Sequence, residues 1–151
     1  MRSVCTIAST IILFALPVSA QNWSPEQREV IDHVQRCWDT WQEGFDAWQE
    51  VCPHAENRVF WMTSDNAPKT DWSNFEESIQ FFMDSEETLF LKHRPLHVAL
   101  HGDVATYAYW VFYAVRDANG QQTNYTQKRL EAFRRVGGQW LFIAGMAVPE
   151  N

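Results

Sequence analysis

Glu131 sits between Leu130 and Ala132, inside a stretch rich in strand-forming residues. A carboxyl group drawn into an apolar cavity has its pKa raised and can then act as a general base. Tyr107 and Tyr109 lie on the preceding strand candidate, where their hydroxyls would donate to an oxyanion developing on a substrate. His54 is a second candidate base. Each has a plainer account. Lys128, Arg129, Arg134 and Arg135 surround Glu131 as in an ion-pair ladder on a solvated face, and His54 reads equally well as a polar surface side chain. The spacing leaves open which face of its strand carries Glu131.

His97 and His101 suggest a metal site only if they share a helix. Leu96, Val98 and Leu100 alternate with them, which argues for a strand. Four residues along a strand separate the two imidazoles by about 13 Å, too far for one ion. We expect no metal. No nucleophile elbow, phosphate loop or dinucleotide fingerprint is present, so no cofactor is expected either.

The elements that must position these residues begin at Ser24-Pro25-Glu26-Gln27, a capping box with proline in the first turn. Val30, Val34, Cys37, Trp38, Trp41, Phe45 and Trp48 then recur every three or four residues, so one helical face is buried. Gly44 divides the run. We expect a first helix to about Glu43 and a short second one from Phe45 to Val51, closed by Pro53. Cys37 and Cys52 lie seven residues before and eight after Gly44. A chain that folds back there brings the sulfurs together, whereas one straight helix would hold them roughly 22 Å apart. A Cys37–Cys52 disulfide and the kinked helix pair therefore imply each other.

Arg58 to Met62 reads as a short strand, Thr63 to Asp71 as a loop, and Ser73-Asn74-Phe75-Glu76 as a second capping box opening a helix to about Glu87. Beyond Leu96 the period changes to two. Turns at Gly102-Asp103, Asn119-Gly120 and Gly137-Gly138 separate four strands in series, an antiparallel meander whose long middle strands should curl. Helices followed by a meander make an α+β fold.

Met1-Arg2-Ser3, the apolar run Ile7 to Val18, and the small residues of Val18-Ser19-Ala20 have the three parts of a secretory signal. We expect cleavage after Ala20 and a single domain over 21–151, secreted or periplasmic, with no membrane segment after processing. An oxidising compartment suits the disulfide. Without Arg2 the chain carries 11 bases against 19 acids, a surface poorly matched to nucleic acid or anionic membranes.

Gly102-Asp103-Val104-Ala105 leading into a long aromatic strand, the Gly138-Gln139-Trp140 turn into the last strand, and a helix ending in Trp38 and Trp41 before Gly44 together resemble the nuclear transport factor 2-like superfamily. The nearer likeness is to its SnoaL-like branch. The resemblance implies a cone: N-terminal helices packed on a strongly curved antiparallel sheet, with a pocket inside and an outer sheet face that often forms a homodimer. It implies Trp38, Trp41, Trp61, Trp110 and Trp140 as pocket-lining residues, with His54 and Trp61 near the mouth. Spaced on a helix, the Trp38–Trp48 stripe reads equally as plain core. Relatives include isomerase- and cyclase-type enzymes, but where many carry histidines on the last strand this chain has Ala144 and Met146. The expected function is an exported domain whose pocket binds a small apolar or aromatic molecule. The alternatives are an isomerase or cyclase using Glu131 or His54 as base with a tyrosine donor, and a dimeric adaptor presenting its outer sheet face.

Overall fold

The computed structural model describes residues 21–62 and 72–150. The signal expected over 1–20 and the loop expected over 63–71 lie outside them, and the cap expected at Ser73 involves side chains outside the described set.

Helix α1 spans Pro25–Thr40, followed by a single 3-10 turn at Trp41–Glu43 and by α2 at Phe45–Val51. Ser24 and Gln27 cap α1 reciprocally, as their types require. The expected run of α-helix to Glu43 tightens into the 3-10 turn before Gly44, whose φ of 102° only glycine adopts without strain. The chain turns back there, and Cys37 bonds Cys52 with their Cα atoms 5.4 Å apart.

Strand β1 covers His54–Met62, starting four residues earlier than the sequence suggests, and α3 covers Trp72–Ser85. Four further strands follow: β2 at Glu86–His101, β3 at Val104–Asp117, β4 at Gln122–Val136 and β5 at Gln139–Glu150. They form the expected antiparallel meander, and β1 adds to it in parallel beside β5, giving the order β1-β5-β4-β3-β2.

Strand β2 corrects the sequence reading most. It begins at Glu86, directly after α3, and pairs along the length of β3. Its first half carries Lys92, Arg94 and Pro95, residue types that suit a sheet edge and mask a strand signal. The pairing register shifts between Pro95 and His97. The extra residue is Leu96, which is 39% exposed while Val98 is 1% exposed, so the simple alternation expected there is broken by a bulge. Another register shift falls between Ala132 and Phe133 of β4, where Ile143 is the extra residue on β5. Such bulges bend the sheet around the helices.

The concave face of the sheet meets α1, α2 and α3 across one hydrophobic core containing Val30, Val34, Trp48, Phe60, Phe75 and Val98. Two contacts hold the N-terminal end of α1 in place: Gln27 donates to the Val98 carbonyl at 2.8 Å, and Glu29 pairs with Arg135. Among the described residues, no helix is long and apolar enough to cross a membrane.

Candidate functional site

Packing of flat and bulky rings between the helices and the bent sheet leaves a cavity of about 230 Å³. The helical side supplies Trp38 from α1, Trp41 from the 3-10 turn, Trp48 from α2, and Phe75 and Phe82 from α3. Trp41 is central to this wall. Its ring centroid lies 5.6 Å from both Trp38 and Trp48 and 6.3 Å from Phe82. The Cys37–Cys52 bridge also lines the cavity, so the disulfide clamps the segment that carries three of its indoles.

The sheet side is polar by contrast. On a strand, residues two apart share a face. Gln127, Arg129 and Glu131 therefore all point inward from β4, opposite Val111, Tyr109 and Tyr107 of β3. This answers the question the spacing leaves open: Glu131 is 7% exposed and belongs to the cavity. The neighbouring cations have different partners. Lys128 reaches Glu150 on the other face, Arg135 shares the parity of Glu131 but reaches Glu29 further along the strand, and Arg129 joins Glu131, with Nη1 3.3 Å from Oε1. The Arg129 guanidinium also lies over the rings of Trp38 at 4.8 Å and Phe60 at 5.2 Å. Gln127 donates to the Tyr113 hydroxyl at 2.9 Å.

Burial governs the charges. It pushes the Glu131 carboxyl up, and Arg129 and then Tyr109 pull it back only in part. It raises Tyr109 far above its ordinary range, aided by Glu131, so the phenol stays protonated. Its hydroxyl lies against both charged groups without completing a hydrogen bond to either within ordinary limits. His33 and His54 both line the cavity. Burial, with the nearby cations Arg36 and Arg58, lowers them to about 4 and about 3, so both imidazoles are neutral at physiological pH. His54 is no surface histidine: it packs 5.0 Å from Trp48, 5.2 Å from Phe142 and 5.6 Å from Phe75, centroid to centroid.

The other sequence candidates fall in different places. Tyr107 is fully buried behind the cavity, stacked 4.5 Å from Tyr109. Trp38 and Trp41 line the cavity, as just described. Trp110 has the opposite parity to Tyr109 and lies on the other face of β3, stacked on Phe112 beneath Lys128. Trp140 is buried outside the cavity lining, with Arg135 over its ring. Trp61 is placed only by its backbone opposite Met146, and the expectation for its indole lies outside the described side chains. His97 and His101 are both exposed on β2. Among the described residues, no three His, Cys, Asp or Glu side chains converge to hold a metal.

Sequence reasoning missed Gly145, Arg129 as an inward partner, and His33. Gly145 pairs with Glu131 across β4 and β5. A Cβ there would stand 2.8 Å from the Phe142 ring and 3.1 Å from the Glu131 Cγ. A lone glycine in a strand is the signal that could have found it.

No family model matches the sequence, and no curated protein matches it. Solved structures do match the fold. A ketosteroid isomerase-like protein from Erwinia carotovora atroseptica superposes with a TM-score of 0.71 at 10% identity, over 85% of this chain and 99% of that one. An NTF2-like protein from Cytophaga hutchinsonii gives 0.66 at 16% identity, over 82% and 98%. The association domain of C. elegans CaMKII gives 0.58 at 11% identity, over 81% and 94%. The chain has the nuclear transport factor 2-like fold.

Proposed function

We propose that this protein is an exported binding domain, residues 21–151, whose cavity holds a small aromatic or largely apolar molecule. The observation that carries the reading is the cavity of about 230 Å³ enclosed by Trp38, Trp41 and Trp48 on one side and by a short polar row on the other. Apolar walls with a few convergent polar groups are the usual make-up of a small-molecule site. Export is supported by the pattern at Met1–Ala20 and by the disulfide, which persists in oxidising compartments. Native mass spectrometry of the gently purified protein tests the binding reading. We expect a co-purified small molecule that is lost on denaturation. An empty cavity that also takes up no aromatic compound in solution would refute it.

A second reading is isomerase- or cyclase-type chemistry, with Glu131 as base and Tyr109 as donor. Their shared position on the cavity wall favours it, as does the name of the Erwinia relative. Against it, Arg129 stabilises the Glu131 carboxylate and weakens it as a base. Turnover of a keto-steroid or related enolisable ketone, abolished by Glu131→Gln, would establish this reading over simple binding.

A homodimer through the outer sheet face is the accompanying proposal. Leu130 and Met146 are opposite each other in register there, both exposed. An association domain among the fold neighbours supports it.

A further inference from the structure

The polar row on the sheet side of the cavity is under-satisfied, and the deficit has a chemical sense. A guanidinium carries five N–H donors. Arg129 spends one on Glu131 at 3.3 Å, longer than the ~2.7–2.9 Å of a tight charge-assisted contact. Among the described residues its Nε has no partner, and neither do the Tyr109 hydroxyl and the Trp38 Nε1. All three belong to residues that line the cavity. Those three atoms are themselves sealed, so they hold the row under-satisfied, and what a ligand can reach is the rest of the Arg129 guanidinium and the Glu131 carboxylate. The side chains of Arg129 and Glu131 remain 15% and 8% exposed, so a cavity occupant can touch both.

Charge narrows the class. An aromatic enclosure would ordinarily welcome a cationic ligand, but Arg129 already occupies the faces of Trp38 and Phe60. An anion would gain Arg129 and be repelled by the Glu131 carboxylate beside it. A plain hydrocarbon would leave the accessible part of the Arg129 guanidinium unpaired. The complement of an intact, loosely joined Arg–Glu pair is an uncharged group offering an acceptor next to a donor. The cavity is also smaller than the ~300–1,000 Å³ of sites for drug-sized ligands.

We propose that Arg129 and Glu131 together select a flat, uncharged molecule of one or two aromatic rings that carries a carbonyl acceptor beside an N–H or O–H donor, as in an aromatic amide or lactam. The carbonyl faces Arg129, and the donor faces Glu131. The proposal rests on reading the cavity as a ligand site.

Four probes of matched shape test it by calorimetry on the purified protein: 2-naphthamide, 2-methylnaphthalene, 2-naphthoate and 2-naphthylmethylammonium. We expect naphthamide to bind at least about tenfold tighter than the other three, the effect of one well-made hydrogen bond to a charged group. The double substitution Arg129→Met with Glu131→Met should erase that preference while methylnaphthalene binding persists, since an apolar pair of similar volume can replace a buried ion pair. Naphthamide binding no better than methylnaphthalene overturns the selection while leaving the cavity as a ligand site. Tightest binding by the naphthoate or the ammonium overturns it as well. A preference that survives the double substitution removes these two residues from the role. If no probe binds, the cavity reading itself fails. Should the double variant not fold by circular dichroism, the ranking of the four probes on the native protein decides alone.

Discussion

Gly145 stands directly opposite Glu131 in the β4–β5 ladder, and the space a side chain would take there is filled by the Phe142 ring and by the Glu131 Cγ itself. The buried carboxylate is thus accommodated by a missing methyl group on the neighbouring strand. The same absence lets Phe142 close one side of the cavity.

Gly145→Ala should therefore cost about 1–3 kcal/mol, the usual range for overpacking a filled site. The contact lies 2.8 Å from two ring atoms of Phe142, so the ring must shift for the variant to fold. Urea unfolding of the variant against the native protein measures the loss. An unchanged midpoint would show that Phe142 and Glu131 move aside without cost.

Reduction of Cys37–Cys52 should lower stability by about 3 kcal/mol on the loop-closure estimate for a short loop. It should also loosen the wall, because Trp38, Trp41 and Trp48 lie within the closed loop. Equilibrium unfolding with and without reductant, read by tryptophan fluorescence, gives both results. Equal stability in the two states would contradict the clamp.

Acid should destabilise the protein as pH falls below about 6.5. His33, His54 and His93 have folded-state values of about 4, about 3 and about 4, each lowered mainly by burial from 6.5. The unfolded chain takes up these protons first, so stability is full above pH ~6.5 and declines as pH falls toward ~4. His33 and His54 each contribute on the order of 3 kcal/mol at the end of that window, and the half-buried His93, screened by solvent, contributes less. Glu131, raised in the fold, acts with the opposite sign, since its protonation favours the folded state. Three histidines outweigh one carboxyl, so the net slope is a loss. Unfolding free energies at pH 7 and pH 5 check this, and His33→Leu should flatten the curve.

The outer sheet face should support a dimer that a charge disrupts. Leu130 is 49% exposed and Met146 is 39% exposed, side by side across β4 and β5. Light scattering should give twice the monomer mass for the native protein and the monomer mass for Leu130→Asp. A native protein already monomeric at high concentration would dispose of the interface.

Several elements are legible in the sequence alone. Ser24 and Gln27 marked the start of α1, and Gly102, Gly120, Gly137 and Gly138 marked the hairpins, because caps and turns depend on residues a few positions apart. The disulfide was legible for a similar reason, since one glycine between two cysteines determines whether they can meet. Local chemistry was sufficient there.

The face of Glu131 was another matter, and there hydrophobicity pointed the wrong way. Leu130 and Ala132 are the apolar residues of that stretch, yet Leu130 is on the outside and Glu131 inside. Only the pairing with Tyr107 and Tyr109 on β3 and with Gly145 on β5 set the inward phase of β4. The early start of β2, the parallel addition of β1 and the meeting of Arg129 with two rings arise in the same way. The amino-acid order by itself determined the elements, their turns and the sulfur bridge, which are short-range. Which polar side chains share the cavity is a contact between distant strands, so tertiary packing alone decided it.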